Sequence, residues 1–349
     1  MKWLVAGASS AAVLALAWML LLRSGPPAGP GAASAAEPRP EDRATPLRWV
    51  DFEGACDASG AVPVDERHFA VADDEDNVLR VFDAMVGGEP VQKTNLSKQI
   101  AMKKKGEADI EAATSLDGRA FWISSHGRNA KGDEDPNRSV VITTDLPTLD
   151  DRVEVEGDVY RSLLGDLERA PALARYDLTH AAELAPKEPG GLNIEGLTAT
   201  PDQKLLIGFR NPVPGGKALI VPLSNPSALY SAGTPAFEAP IELDLDGLGV
   251  RSLSWWRGAY LIAAGPASDG GRSRLYRWPG VGRTPRLVAE SILEGANPEA
   301  FFTAEGNDEI LVLSDDGGRE LHGKPCKKLK GKKHKRFRGL WLRLAPDRS

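Results

Sequence analysis

A glutamate returns at the same place in a short motif three times along this chain. The motif reads Asp-Ile-Glu-Ala at residues 109–112, Asn-Ile-Glu-Gly at 193–196 and Asn-Pro-Glu-Ala at 297–300. Carboxylates that share one concave site repel one another and require a cation or bound protons. Such oxygen ligands suit Ca²⁺ or Mg²⁺, and the sequence has no His or Cys cluster that would favour zinc. The motif therefore predicts a divalent-cation site, with Ca²⁺ as the candidate ion, at Glu111, Glu195 and Glu299.

Two other roles for these glutamates remain open. A weaker copy of the motif, Val-Arg-Ser-Leu at residues 250–253, carries Arg251 in place of the glutamate. A ring of alternating Glu and Arg would form neutral ion pairs that hold neighbouring units together without a metal. Arg251 is also suited to binding an anionic ligand, because a guanidinium donates two parallel hydrogen bonds to a carboxylate or phosphate.

Polar side chains also end the apolar run that follows each motif by about ten residues. Because successive strands run antiparallel, the end of the second strand lies beside the start of the first, and both sets of polar residues gather on one face. Histidine and aspartate are suited to moving protons, so His126 and Asp315 are candidate catalytic residues, with a structural role as the alternative for His126. The candidate ligand-binding residues, whose arginines are equally suited to ion pairs between units, are Arg128, Arg210, Asn211 and Arg251.

The repeated motif indicates the architecture that positions these side chains. Each unit contains at least two short, β-branched or aromatic runs bounded by Gly, Pro, Asp or Asn, which is typical of strands. Units of 40–50 residues with up to four antiparallel strands are typical of propeller blades. Five units are clear and a degenerate sixth is possible, so we predict an all-β protein, a five- or six-bladed β-propeller spanning residues 47–345. A helical insertion is predicted at about residues 157–186, with Asp177 as a helix N-cap.

The N-terminus predicts export. Residues 1–23 contain a basic start and an uncharged Ala- and Leu-rich stretch from 4 to 22, which fits either a cleaved signal peptide or a signal anchor in the inner membrane. Residues 24–46 are rich in Pro, Ala and Gly and are predicted to be a flexible linker. The body is therefore expected to be periplasmic or otherwise extracytoplasmic, with membrane contact only through an uncleaved N-terminal segment.

Charge and cysteine usage add two expectations. The net charge of −6 includes a basic run, so the rest of the 349-residue chain is strongly acidic and nucleic acid is excluded as its partner. The run at about 324–338 is predicted to be a solvated loop, with contact to phosphate or an anionic surface as the alternative. The two cysteines, Cys56 and Cys326, lie in the first and last units. In a closed ring these units are neighbours, so we predict a disulfide, with two free thiols as the alternative.

Four blocks of the sequence resemble a bacterial family known as domain of unknown function 3616 (DUF3616). They are residues 109–128, 193–212, 250–266 and 297–317. This resemblance brings no established activity. The block at 193–197 is also similar, more weakly, to esterase-like propellers related to phytases and to calcium-dependent lactonase propellers.

These patterns favour a binding or scaffold propeller with a polar site on one face of the ring. Its partner would be a small molecule or a protein, and the body is expected to be a monomer. The alternative is a divalent-cation-dependent hydrolase of the esterase, phosphoesterase or lactonase kind, in which the metal polarises the substrate. No catalytic motif is complete, so the sequence leaves open whether the protein is an enzyme.

Overall fold

A computed structural model describes residues 43–102, 106–129, 131–268, 270–303 and 308–345. The predicted N-terminal export segment and nearly all of the predicted linker lie outside these residues. Within the described ranges, no helix has the length and apolar character needed to cross a membrane.

The strands form five sheets that are blades of a propeller. In chain order they are β1 (Ala44–Glu53), β2 (Gly60–Pro63), β3 (His68–Ala72), β4 (Val78–Asp83), β5 (Gln92–Asn95), β6 (Ile110–Leu116), β7 (Arg119–Ser124), β8 (Val141–Asp145), β9 (Asn193–Ala199), β10 (Leu205–Asn211), β11 (Ala218–Leu223), β12 (Ile241–Leu243), β13 (Gly249–Trp256), β14 (Ala259–Gly265), β15 (Arg274–Trp278), β16 (Arg286–Ala289), β17 (Pro298–Thr303), β18 (Glu309–Ser314), β19 (Glu320–Leu321), β20 (Lys324–Pro325) and β21 (Arg336–Leu344). Blade 1 is β2-β3-β4-β5, blade 2 is β6-β7-β8, blade 3 is β9-β10-β11-β12 and blade 4 is β13-β14-β15-β16. Blade 5 is β17-β18-β21-β1, and β19 and β20 form a separate hairpin.

The first strand of each blade lies at the centre of the ring. These inner strands, β2, β6, β9, β13 and β17, each contact the next, and β17 contacts β2. All pairs within the blades are antiparallel, as the repeat predicted. The propeller prediction is thus confirmed, with five blades.

The ring closes through its two ends. β1 pairs with β21 as the outermost strand of blade 5, with Phe52 opposite Phe337. Behind this seam Phe52 packs edge-on against Phe69 and Phe82 of blade 1 and stacks on Phe337, with ring centroids 5.0–5.3 Å apart. The predicted disulfide is also confirmed: Cys56 and Cys326 are bonded across 270 residues of sequence. Closure therefore rests on a strand, an aromatic cluster and a covalent bond.

A helical insertion fills the long interval between blades 2 and 3. It contains α1 (Leu163–Arg169) and α2 (Leu178–Glu183), and Asp177 caps α2 by accepting a hydrogen bond from the His180 backbone N–H. Its apolar side chains, among them Leu163 and Leu173, join one buried cluster with residues of blades 2 and 3. The 3₁₀ helices are Pro136–Arg138, Pro171–Tyr176, Pro214–Gly216, Pro226–Leu229, Ser291–Leu293, Cys326–Lys328 and Lys332–His334.

The basic segment, at about residues 324–338, forms ion pairs with blade 1. Lys332 Nζ lies 2.6 Å from Asp76 Oδ2, and Lys335 Nζ lies 3.1 Å from Glu75 Oε2. Both acidic residues belong to the loop between β3 and β4. The segment therefore lies beside blade 1, on the side where β3 ends.

Candidate functional site

The motif residues occupy β-bulges on the inner strands. The register between the first two strands of blades 2 to 5 shifts at Glu111, Glu195, Arg251 and Glu299 in turn. A bulge leaves one residue unpaired and re-aims its side chain. The repeated motif therefore encodes a repeated bulge near the start of each inner strand, which is why equivalent positions carry equivalent polar side chains.

Two of the three predicted metal ligands form ion pairs with arginine. Glu195 Oε1 lies 2.7 Å from Arg210 Nη1 and also accepts a hydrogen bond from Asn193 Nδ2. Arg251 Nη2 donates to Glu299 Oε1, and Arg251 Nε lies 3.5 Å from Glu195 Oε2. Arg251, Glu195 and Glu299 are each at least nine-tenths buried. Arg251 of blade 4 thus joins blades 3 and 5.

The third predicted ligand, Glu111, lies in a different environment. One carboxylate oxygen each from Asp74, Asp109 and Glu111 lie within 4.8 Å of one another, and the same holds for Asp57, Asp73 and Asp74. We call these five residues the carboxylate cluster. It joins the end of β3 to the start of β6, as the antiparallel arrangement of strands requires.

Burial and mutual repulsion act strongly on this cluster. Burial, followed by the charges of Asp73 and Asp109, raises the pKa of Asp74 well above its usual value. Burial and the charges of Asp109 and Glu195 do the same to the pKa of Glu111. Burial also raises the pKa of Asp109, although its carboxylate lies 2.5 Å from Arg138 Nη2. A bound cation would favour the ionised forms of these acids.

Asp315 and Asp57 are neighbouring carboxyls whose pKa values are shifted in opposite directions. Burial, with the hydrogen bond to Asp315, raises the pKa of Asp57 far above its usual range. Burial acts in the same direction on Asp315, but the hydrogen bonds from Asp57 and from the Gly317 backbone N–H lower its pKa overall. Asp57 therefore carries the proton at neutral pH and Asp315 the charge.

Arg210, Arg251 and Asp315 also line one small pocket of about 130 Å³, together with Lys187 and Asn297. Three basic side chains in one pocket suit a carboxylate or phosphate. Asn211 has a structural contact instead, since its Nδ2 donates to the backbone carbonyls of Pro186 and Glu188 at the end of the insertion.

His126 and Arg128 lie apart from that pocket. They line a cleft of about 250 Å³ against the helical insertion. The two candidate catalytic residues, His126 and Asp315, therefore line different cavities. His126 is buried, and its Nδ1 lies 2.8 Å from the Ser124 carbonyl oxygen. Burial lowers the pKa of its ring to about 4.

A separate cavity follows the ring axis beyond the bulges. It has a volume of about 320 Å³ and is lined by all five inner strands. No charged side chain is among the described residues that line it. The charged residues are thus concentrated at one end of the axis.

Sequence reasoning did not assign a role to four members of the cluster, Asp57, Asp73, Asp74 and Asp109. Asp73 and Asp74 end the second strand of their unit, and Asp57 and Asp109 precede the inner strand of theirs. The positions of these four aspartates within their units therefore already indicated that they lie near the ends of the inner strands. Only the structure shows which of these carboxylates approach one another across two blades.

Comparison with known proteins supports part of the resemblance. Residues 157–293 match the family described as "Protein of unknown function (DUF3616)". The matched stretch contains the helical insertion, blade 3 and blade 4, and for it the predicted resemblance is confirmed. No curated protein matches the chain.

Two solved structures align with most of the chain at low identity. The crystal structure of Myxococcus xanthus glutaminyl cyclase aligns with 87% of this chain and 97% of its own, at 14% identity and a TM-score of 0.48. The PQQ-bound aldose sugar dehydrogenase from Streptomyces coelicolor aligns with 86% and 97%, at 14% identity and a TM-score of 0.44. Likeness at this level carries no information about activity.

Proposed function

We propose that this protein is an exported binding propeller whose axial polar site holds a divalent cation, Ca²⁺ being the best fit, at Asp74, Asp109 and Glu111. The observation that carries this proposal is the approach of their three carboxylates to within 4.8 Å of one another. Calcium–oxygen distances are about 2.3–2.6 Å, so two oxygens on opposite sides of one ion lie about 4.6–5.2 Å apart. The three oxygens are therefore close enough together to coordinate one calcium ion.

Unsatisfied oxygens support the same assignment. Asp74 Oδ1 is buried and, within the described part of the chain, has no hydrogen-bond partner. On the adjacent blade 3, Asn193 Oδ1 is also buried without a hydrogen-bond partner among the described residues, and Asn193 is 5% exposed. Leaving such an oxygen unsatisfied is costly. A cation at this end of the axis would relieve that cost for the cluster.

The neighbouring pocket that Arg210 and Arg251 line, here called the arginine pocket, adds positively charged groups to the site. A ligand that carries a carboxylate or phosphate would contact Arg210 and Arg251, while the cation lies on the blade 1 and 2 side. The ligand we expect is accordingly a small anionic molecule or an acidic group of a protein. The disulfide supports an oxidising, extracytoplasmic location, because such bonds persist there.

Hydrolysis is the second candidate function, and one observation favours it. Asp57 and Asp315 form a carboxyl pair in which one member is protonated and the other ionised, which is the division of roles that general acid–base catalysis needs. Binding is preferred because His126, the other candidate proton carrier, lines a different cavity.

The test is a calcium titration of the purified, metal-free protein, followed by thermal melting and metal analysis. At about 100 times the dissociation constant, a ligand of the folded state adds about 2.7 kcal/mol, which is a rise in melting temperature of roughly 4 °C for a domain of this size. Glu111→Gln should abolish the rise. Glu154→Gln is the matched control, because this exposed carboxylate lies in the segment beside β8 of blade 2 and does not belong to the cluster.

No rise and no bound metal in the unmodified protein would refute the cation site. If the rise in melting temperature persists in Glu111→Gln but is lost in Glu195→Gln, the ion binds beside Glu195 and not in the carboxylate cluster. If calcium binds, a panel of esters, lactones and phosphoesters then separates the two functions: turnover lost in Asp315→Asn would establish hydrolysis.

A further inference from the structure

The cleft that contains His126 is built by two parts of the chain. One wall is the loop between β7 and β8, and the other is formed by α1 and α2 of the insertion. Its volume of about 250 Å³ suits a small organic molecule. The cleft shares no lining residue with the arginine pocket or the carboxylate cluster.

His126 presents an unused hydrogen-bond acceptor in this region. A backbone carbonyl only accepts, so the contact between Nδ1 and the Ser124 carbonyl places the ring proton on Nδ1. Nε2 therefore carries a lone pair, and it is buried with no hydrogen-bond partner among the residues that the structure describes. His126 is only 3% exposed and has a positive φ of 56°, a conformation uncommon for a residue other than glycine. A buried acceptor held this way needs a donor.

The charged side chains that line the cleft indicate what kind of ligand would donate a hydrogen bond to His126 Nε2. Four carboxylates, those of Glu134, Asp135, Glu168 and Glu183, line the cleft with one guanidinium, that of Arg128. Two of the four have partners: Asp135 Oδ1 accepts hydrogen bonds from Asn137, and Glu183 Oε2 lies 3.6 Å from His180 Nδ1. Arg128 is already engaged, since its Nε donates to the Ala182 carbonyl and its Nη1 to that of Gly132. The excess of carboxylates favours a positive ligand.

From this geometry we infer that the cleft is a second binding site, for a small organic cation of the primary ammonium class that donates an N–H to His126 Nε2. The carboxylates balance its charge. A metal ion fits less well, because none of the groups of three metal-ligating atoms among the described residues includes His126. The site is independent of the proposed calcium site.

Calorimetric titration with three probes of similar size tests the inference. Butylammonium has both the charge and the N–H donors, tetramethylammonium has the charge without the donors, and 1-butanol has neither the charge nor an N–H group. We expect measurable binding of butylammonium, binding at least tenfold weaker for tetramethylammonium, and none for butanol. Equal binding of the two cations would overturn the role of His126, and no binding of butylammonium at millimolar concentration would overturn the site.

Variants identify the residues involved. His126→Asn keeps a residue that tolerates positive φ and should weaken butylammonium binding about tenfold, the usual loss for a hydrogen bond to a charged group. Glu168→Gln should also weaken it, whereas Glu154→Gln, which removes an exposed carboxylate outside the cleft, should not. Unchanged binding in both cleft variants would refute the assignment. The calcium response should persist in His126→Asn, so failure of either site is seen separately.

Discussion

Arg251, at the bulge of blade 4, donates a hydrogen bond to Glu299, at the bulge of blade 5. The same guanidinium lies 3.5 Å from Glu195 of blade 3, so one side chain spans three blades at the level where the inner strands begin. The pairs are buried, and a buried charge that loses its partner is strongly destabilising. Arg251 therefore holds the arginine side of the ring together whether or not a ligand is bound.

We expect Arg251→Met to destabilise the protein by about 3 kcal/mol, because it leaves Glu299 without its partner and removes a charge beside Glu195. Glu299→Gln should cost less, since a neutral amide still accepts a hydrogen bond from Arg251. Urea unfolding of both variants measures the difference. Equal stability of Arg251→Met and the unmodified protein would contradict the structural role.

The disulfide should contribute a comparable amount. Cys56 precedes β2 and Cys326 lies in the basic segment, so the bond joins blade 1 to blade 5 across the closure of the ring. In the loop-entropy account, constraining a loop this long stabilises a protein by about 5–6 kcal/mol, and removing a native disulfide usually costs about 2–5 kcal/mol.

Replacing both cysteines by alanine should lower the melting temperature by roughly 3–10 °C. Reducing agent should have the same effect on the unmodified protein and none on the variant. A melting temperature that is insensitive to both changes would mean that β1 and the aromatic cluster close the ring by themselves.

Much of the fold follows from sequence because a repeat is a local signal. The motif around Glu195 and the apolar run of β10 recur at a nearly fixed spacing, and each copy specifies an inner strand and its neighbour. The pairing of β1 with β21 leaves no such trace, because the two strands lie at opposite ends of the propeller sequence. The long interval between the motifs of blades 2 and 3 was compatible with an insertion or with a sixth blade. The residues that the structure describes there form the insertion.

The site could be predicted only to the level of the face on which it lies. The repeat makes Glu111, Glu195 and Glu299 equivalent, and equivalence suggests one shared ligand. The structure separates them, because Arg210 and Arg251 lie beside two of the three while Asp74 and Asp109 lie beside the other. Distances across the axis depend on blade tilt and on loops such as that of Asp74, which sequence spacing does not encode.

His126 should make the protein sensitive to acid. Burial lowers its pKa to about 4 in the folded state, below the value of about 6.5 expected in the unfolded chain. Protonation therefore favours unfolding: the stabilising contribution is complete above pH 6.5 and is lost as the pH falls toward 4. The two pKa values correspond to about 3 kcal/mol.

Melting temperatures measured between pH 7 and 4 should fall more steeply for the unmodified protein than for His126→Asn. His180→Asn is the control, because the side chain of His180 is 63% exposed and pairs only with Glu183 in α2. Parallel curves for the unmodified protein and His126→Asn would show that this ring is not responsible for the acid sensitivity.

The pair Asp57 and Asp315 predicts an asymmetric response to the same substitution. Asp57 is protonated at neutral pH, so Asp57→Asn keeps a donor toward Asp315 and should change stability by less than about 1 kcal/mol. Asp315 is the ionised member: it accepts hydrogen bonds from the Gly317 backbone N–H at 2.8 Å and from Asn297 Nδ2 at 2.9 Å. In Asp315→Asn an amide donor would face other donors, and the loss should be about 2 kcal/mol. Urea unfolding at pH 7 gives both values, and a larger loss for Asp57→Asn than for Asp315→Asn would reverse the assignment of the proton.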